Sequence, residues 1–237
     1  RKGRRIKSAA FLKTKRKGLW FLTCLGPFGV VALQMVNYGV RKDYLLRQSE
    51  DDWAYYLSNV SGFTPLALVL GIAILTSLIS SIEDETSAWK QWMTLPVSKF
   101  SVYLSKFTVL SFLLLLSSFL LMVFTFAYGV FLGLGEDIPY LKLFQYSFYP
   151  YFAAFPILAL QLWIATVSHN QGIAMTTAVL GVIFTYSAYY LPDWMIWKWP
   201  SLMNDWNEPI MNVLLGIGAG VLLYIAGMID FMRRDVK

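Results

Sequence analysis

Long stretches of the chain contain no Asp, Glu, Lys or Arg, and they decide which elements we predict. A charge at the centre of a bilayer costs about 2.5 kcal/mol or more, so a charge-free run of about 20 residues is typical of a membrane-spanning helix. Four of the runs have 21–30 residues, which suits one crossing each. The charge-free runs are 18–40, 53–82, 107–135, 143–192 and 209–229.

The fourth run has 50 residues, which is too long for one crossing. Its clearest polar interruption is Ser168-His169-Asn170-Gln171-Gly172, whose residue types favour a turn between two helices. We therefore predict an all-α polytopic membrane protein with six transmembrane helices. The predicted spans are 19–39, 61–82, 105–132, 146–167, 173–190 and 210–229.

Composition supports this class. Of 237 residues, 57% are hydrophobic and 14% are charged, whereas about 25% of a typical soluble domain is charged. Six spans occupy residues 18–232 as a single transmembrane domain, between a basic lead, 1–17, and a short tail, 233–237. A separate catalytic domain of about 100 residues has no room. The single cysteine, Cys24, excludes an intrachain disulfide.

The distribution of Lys and Arg predicts the orientation. Fifteen of the 20 basic residues fall on the side that holds both termini, and such residues favour the cytoplasmic side. Both termini are therefore predicted inside. The predicted inner loop is then 83–104, and the outer segments are 41–60, 133–145 and 191–209.

The basic lead has nine Lys or Arg among its first 17 residues. Its position directly before a span favours binding to the anionic inner leaflet of the bilayer over nucleic acid. The run 18–40 is longer than the apolar part of a signal peptide, so we expect a retained span.

The predicted span interiors lack acidic and basic groups, which intramembrane enzymes and ion-coupled transporters usually need. Motifs of zinc proteases, serine hydrolases and phosphate-binding loops are also absent. We expect a chain that is not an enzyme by itself and binds no metal or cofactor, so that a partner supplies the energy. For His169, the only histidine, a solvated turn residue is the simplest interpretation.

The inner loop contains the main candidate for a partner contact. Ser80 and Glu83 form a pattern that favours a new capped helix, which would run to about Thr94 and end before Pro96. Its bulky side chains fit two interpretations, an interfacial helix resting among headgroups and a dock for a partner protein, and the residues alone leave both open.

The next helix is predicted to be capped by Ser98 and to enter the membrane directly afterwards. Lys99 and Lys106 are predicted to anchor that helix at the headgroups.

The loop also carries a family resemblance. Its sequence Trp89-Lys90, then Leu95-Pro96-Val97-Ser98-Lys99, then Tyr103-Leu104-Ser105-Lys106, resembles the corresponding loop of six-span permeases of G-type (type V) ABC exporters. The likeness is greatest to the branch associated with bacitracin resistance and lantibiotic immunity in Gram-positive bacteria. It extends to the basic lead and to the six-span plan.

The resemblance implies a permease subunit in a bacterial plasma membrane, paired with an identical or similar permease and with separate ABC ATPase subunits that bind ATP and Mg. The implied cargo is a bacitracin-like or lantibiotic-like peptide or another amphipathic molecule. A shorter second contact with the ATPase is implied at His169 and Asn170. The resemblance also implies that the inner loop 83–104 is the coupling loop, which docks on the ATPase. Its implied docking residues are Glu83, Asp84, Glu85, Trp89, Lys90, Trp92, Leu95 and Pro96.

The last outer segment is dense in tryptophan. An aromatic belt at the outer interface would explain part of this density. The alternative is a lid over an exit path that contacts cationic or amphipathic cargo through aromatic faces and carboxylates. The candidate residues for such an outer gate are Asp193, Trp194, Trp197, Trp199, Asp205, Trp206 and Glu208.

Polar and small residues inside the spans have simpler interpretations. Gln34 and Gln161 could line a path or could hydrogen-bond between helices, and we expect the second; Gly216-x-Gly218-x-Gly220 suits close helix approach. Other functions that remain open are a lipid or polysaccharide exporter permease, and a non-transporting membrane scaffold or sensor subunit.

Overall fold

The structure is a computed structural model that describes residues 18–49, 51–85, 98–168 and 171–233. These residues form helices and no strand, so the predicted all-α class is confirmed. Two short 3₁₀ turns, Ala188–Tyr190 and Trp199–Ser201, lie along the chain just before the last helix. The α-helices are α1 Leu19–Leu45, α2 Asp52–Glu85, α3 Lys99–Leu132, α4 Tyr140–Ala153, α5 Phe155–Val167, α6 Gln171–Tyr186 and α7 Pro209–Arg233.

Five helical stretches among the described residues are long and apolar enough, by length and composition, to cross a membrane, and α4 and α5 together form one of them. Helix α6 is shorter than these stretches, since its 16 residues rise about 24 Å, short of a full hydrocarbon core. The predicted polytopic membrane class fits this set of helices. The long apolar stretches are Leu19–Leu45, Asp52–Ser80, Lys99–Leu132, Tyr140–Val167 and Pro209–Arg233.

The bundle has two ends, which the helix connections define. At the end that holds both described termini, the Lys99 amine donates to the Met232 carbonyl across 3.4 Å. At the opposite end, the Lys42 amine donates to the Leu132 carbonyl across 3.1 Å, at the last turn of α3. We call these the terminal end and the distal end.

Helix α2 is at the centre, in contact with α1, α3, α4, α5 and α6. One apolar cluster packs α2 and α3 against α5 and α7, with Tyr103, Leu110 and Leu158 almost fully buried. A second cluster joins the distal halves of α1, α2 and α3 around Tyr38 and Tyr56. Because α2 belongs to both clusters, a displacement of α2 would change the side-chain packing in most of the bundle.

The predicted span 146–167 covers a broken helix. The break is at Ala154, between α4 and α5. Pro156 occupies the first turn of α5, where its missing N–H costs no helical hydrogen bond, and Pro150 sits in the last turn of α4. The two prolines explain why the chain bends here.

Glycines of α7 pack against this break. A Cβ on Gly216 would lie 2.5 Å from Ala153 Cα, and a Cβ on Gly220 would lie 2.6 Å from Phe155 Cβ. Gly218 has nothing within 4 Å of the same position. The predicted close approach is confirmed for Gly216 and Gly220, and it explains why α7 and the α4–α5 break pack tightly.

The prediction of a new helix capped at Ser80 is wrong. Helix α2 continues through this residue to Glu85. The Ser80 hydroxyl donates to the Ala165 carbonyl at the end of α5, across 3.1 Å, so it joins two helices instead of starting one. A serine capping pattern is local, and this contact is formed with a residue 85 positions away.

The start of α3 agrees with the sequence in one respect and differs in another. The Ser98 hydroxyl accepts a hydrogen bond from the Ser101 N–H, so the predicted cap is confirmed. Lys106, expected at the headgroups, is instead buried, with its amine 5.9 Å from the centre of the Phe231 ring on α7. The cation–π contact and the bundle interior replace the headgroup contact that spacing alone predicted.

Candidate functional site

The two groups of predicted site residues differ in what the structure describes. Glu83, Asp84 and Glu85 are the last three residues of α2. The remaining residues predicted for ATPase docking lie outside the described residues, and so do both residues of the second contact. They are Trp89, Lys90, Trp92, Leu95, Pro96, His169 and Asn170. The candidate residues of the outer gate are all described.

The outer candidates lie in the connection between α6 and α7. We call residues 191–208 of this connection the tryptophan segment. The segment folds back over the distal end of the bundle, where its 3₁₀ turn Trp199–Ser201 contacts α2, α4 and α7. The segment therefore packs on three helices of the bundle.

Asp193 is the centre of the hydrogen bonds in this segment. Its Oδ1 lies 2.6 Å from Lys198 Nζ, and its Oδ2 accepts the Asp205 N–H across 2.9 Å. Its backbone carbonyl accepts the Trp199 indole N–H, also across 2.6 Å. Asp193 therefore holds three separate parts of the segment together.

These contacts lower the pKa of the Asp193 carboxyl group. The hydrogen bond from Lys198, and then the N–H of Asp205, lower the pKa of Asp193 below its ordinary value of 3.8. The group is therefore ionised at neutral pH, and both its oxygens are bonded inside the segment. This geometry favours a structural role for Asp193 over the cargo contact expected from its charge.

The four tryptophans take different positions. Trp199 is 6% exposed, and Trp197 packs inward with its ring 5.2 Å from that of Phe184 on α6. Trp194 and Trp206 are 75% and 56% exposed. The structure thus divides the cluster into two side chains that attach the segment to the bundle and two that face outward.

A second set of hydrogen bonds leads into α7. The Asn204 amide donates to Asn212 Oδ1 across 3.1 Å and to the Glu208 carbonyl across 2.8 Å, while its oxygen accepts the Glu208 N–H. Asn212, 1% exposed, donates to the Met203 carbonyl. Sequence reasoning missed Asn204, Asn212 and Lys198. An asparagine just before a proline-initiated helix was the available signal.

The exposed side chains of the segment are of two kinds, and we call them together its outward face. Trp194 and Trp206 present aromatic rings, and Asp205 and Glu208 are exposed carboxylates. Aromatic faces and carboxylates both attract cations, and the rings also bury apolar surface. The arrangement suits a cationic or amphipathic molecule. Among the described residues, no three His, Cys, Asp or Glu side chains are grouped to hold a metal ion.

Two buried amides inside the bundle act between helices. Gln161 on α5 donates to the Ala174 carbonyl on α6 across 2.7 Å. Gln34 on α1 donates to the Asn59 carbonyl on α2 across 3.3 Å. The predicted interhelical hydrogen bonding is confirmed at both positions.

We expect the Asp193→Asn variant to loosen the tryptophan segment at neutral pH. A lowered pKa means that ionised Asp193 stabilises the fold above pH 3.8, and that this contribution is lost as the pH falls through the lowered pKa. Limited proteolysis in detergent should cut the variant several-fold faster at pH 7, with little further change on acidification. The wild type should lose resistance only in acid.

Glu208→Gln is the matched control, because this exposed side chain lies in the same segment. It should follow the wild type at every pH. Equal cleavage of Asp193→Asn and wild type at pH 7 would show that the carboxylate does not hold the segment.

Comparison with known proteins agrees with the architecture. The family model described as ABC-2 family transporter protein matches residues 8–188, which is well over half of the 237 residues. No curated protein and no solved structure matches the chain significantly. The matched range includes the coupling loop, the first four predicted spans and most of the fifth. The chain therefore belongs to the ABC-2 family of transporter proteins, as the membrane permease of an ABC transporter whose ATPase is a separate subunit.

Proposed function

We propose that the permease works in an ATP-driven exporter that removes bacitracin-like or lantibiotic-like peptides, or other amphipathic cargo, from the membrane. The observation that carries the proposal is the outward face of the tryptophan segment. Trp194, Trp206, Asp205 and Glu208 are exposed there, while Asp193 bonds within the segment and the buried Trp199 lies in the turn that contacts the bundle. Peptide antibiotics that combine apolar and cationic groups are complementary to such a face.

The proposed orientation places the distal end outside the cell. Fifteen of the 20 Lys and Arg residues lie on the terminal side of the predicted topology, which favours that side as cytoplasmic. The tryptophan segment then faces the outer surface of a bacterial plasma membrane, with both termini inside, and the association of the resembling branch favours a Gram-positive bacterium. Cargo entering from outside would meet this face first.

The proposed energy source is an ABC ATPase that binds the loop between α2 and α3. The structure describes α2 as far as Glu85 and α3 from Lys99, so the chain between these residues connects two long helices. A push on the loop would reach the distal end directly, because α2 and α3 extend there as continuous helices. His169 and Asn170 would provide the second contact. The ATP and Mg would stay in the partner.

A second permease subunit is part of the proposal. A six-span half encloses a path poorly by itself, and closed symmetric pairs are the usual solution. The pair is proposed to consist of two copies of this chain or of this chain and a similar one.

We expect the double variant Trp194→Ala with Trp206→Ala to lower cargo resistance about tenfold. Each exposed aromatic contact with a cation contributes about 0.5–1 kcal/mol, and two together approach the 1.4 kcal/mol of a tenfold change. The measurement is the minimum inhibitory concentration of bacitracin-like and lantibiotic-like peptides for cells that express the complete transporter.

Phe131→Ala is the matched control, because this aromatic side chain is also exposed near the distal end but lies outside the segment. The control should retain full resistance. If the double variant is expressed normally and resists the peptides as well as wild type does, the tryptophan face does not bind cargo.

Two other functions make different predictions for the same transporter. A lipid or polysaccharide exporter should hydrolyse ATP faster with its own cargo and ignore the peptides. A scaffold or sensor subunit should bind its partner without any cargo-dependent hydrolysis.

A further inference from the structure

A small cavity of about 40 Å³ lies inside the bundle, between α1, α2, α3 and α4. Its walls join the two apolar clusters, because Leu68 and Leu114 belong to the first cluster while Val30 and Leu121 belong to the second. One buried water molecule needs about 10–15 Å³ by the same measure of volume, so the cavity is large enough for about two. The polar groups at its walls decide what it can bind.

The walls carry more hydroxyl groups than the fold pairs. Two of these hydroxyls, on Thr23 and Thr64, each donate across 2.9 Å to the carbonyl four residues earlier in their own helix. The serine hydroxyls form no hydrogen bond with any residue of the described ranges. These serines are Ser117 and Ser118 of α3 and Ser147 of α4.

A backbone carbonyl at the same cavity lacks its usual donor. Pro27 lies inside α1 and has no N–H, so the Thr23 carbonyl does not receive the hydrogen bond that a helix normally supplies from four residues later. Across the cavity, Ser117 Oγ faces α1, since it lies 3.9 Å from the position of a Cβ on Gly26. Buried polar groups without a partner destabilise a fold. Groups on α1, α3 and α4 therefore all require a donor or an acceptor here.

Water matches these groups better than other ligands do. A water molecule both donates and accepts hydrogen bonds, as the hydroxyls and the carbonyl together require, and a buried water typically makes about three. No charged side chain is among the residues that line the cavity, so nothing there offsets the cost of dehydrating a metal cation. An apolar ligand would leave the hydroxyls and the carbonyl without partners.

We propose that ordered water binds in this cavity and bridges the serine hydroxyls of α3 and α4 to the Thr23 carbonyl of α1. The water takes the place of direct polar contacts between three helices, at the level where the two apolar clusters meet. The proposal does not depend on the cargo or on the energy source of the transporter.

The test is X-ray hydroxyl-radical footprinting of the full-length permease in detergent. A pulse of X-rays converts bound water into hydroxyl radicals, which oxidise the side chains beside it, and mass spectrometry after digestion locates the oxidised residues. Leu110 and Leu114 are both buried and lie one turn apart on α3, but of the two only Leu114 lines the cavity. We expect Leu114 to be oxidised several-fold more than Leu110.

The double variant Gly26→Ala with Gly71→Ala should abolish this difference. Both glycines line the cavity, and each new methyl group would lie 3.9 Å from its nearest neighbour, so the two methyl groups displace water without a clash. Gly29→Ala is the matched control on α1, because nothing lies within 4 Å of its Cβ position and this residue does not line the cavity. The control should be oxidised as the wild type is.

A second variant keeps the space and removes the hydroxyls. Replacement of Ser117, Ser118 and Ser147 together by Ala should also lower the oxidation of Leu114 to that of Leu110, and it decides the question if the glycine variant does not fold. Equal oxidation of Leu110 and Leu114 in the wild type, or a difference that both cavity variants leave unchanged, would overturn the proposal.

Discussion

Replacement of Gly216 by Ala should destabilise the permease by about 3 kcal/mol, the upper part of the range for overpacked sites. A Cβ at this position would lie 2.5 Å from Ala153 Cα and 2.7 Å from the Phe152 carbonyl oxygen. Both are backbone atoms at the α4–α5 break, so no side-chain rotation can relieve the contact. Helix α7 would have to move away from α4.

The same change at Gly218 is the control, two residues along the same helix. Nothing lies within 4 Å of its Cβ position, so Gly218→Ala should be neutral or slightly stabilising, as alanine favours helix. Thermal unfolding in detergent, followed by size-exclusion chromatography of the heated samples, measures both variants. Equal midpoints for the two variants would contradict the packing described for α7.

The double variant Glu83→Lys with Trp92→Ala should abolish coupling to the ATPase. The proposed dock would lose one negative charge, gain a positive one and lose one of its two tryptophan side chains. Removal of central contacts in an interface commonly costs several kcal/mol, which reduces association about 100-fold or more. Affinity purification of the tagged permease from cells that express the complete transporter measures the bound ATPase.

The matched control makes the same chemical change at the distal end, as Glu136→Lys with Trp206→Ala. Both of these side chains are exposed there, and the control should retain the ATPase in full. Normal ATPase association and normal ATP turnover in the Glu83 and Trp92 double variant would contradict the proposal that the coupling loop binds the ATPase.

The helices were predictable because their main cause is local. A charge-free run must form its backbone hydrogen bonds within itself in lipid, so composition alone indicates helix. The prolines beside Ala154 could have indicated the break between α4 and α5 in the same way. The close approach at Gly216 and Gly220 was also predictable, since only glycine permits it.

The errors arise where partners are distant in sequence. Ser80 has the pattern of a cap, but a carbonyl on α5 accepts its hydroxyl hydrogen. Lys106 has the position of a headgroup anchor, but it packs over Phe231 of α7. Only the packing of α3 and α5 against their neighbours decides these contacts, and no local pattern contains that information.

The tryptophan segment shows the same limit within one loop. Its composition predicted an aromatic and acidic face, but composition does not reveal which side chains are used internally. The nearby Lys198 forms an ion pair with Asp193. Trp199 is buried, and its indole N–H donates to the Asp193 carbonyl. Of the four tryptophans in the segment, only Trp194 and Trp206 are therefore exposed.

The central claim is that this permease passes energy from a separate ATPase to cargo. The most direct test is ATP hydrolysis by the complex purified through a tag on this chain and reconstituted in vesicles, with bacitracin-like and lantibiotic-like peptides added in turn. We expect an ATP-hydrolysing partner to copurify, and at least one peptide to stimulate hydrolysis several-fold. A pure permease without such a partner, or hydrolysis that no peptide changes, would contradict the account.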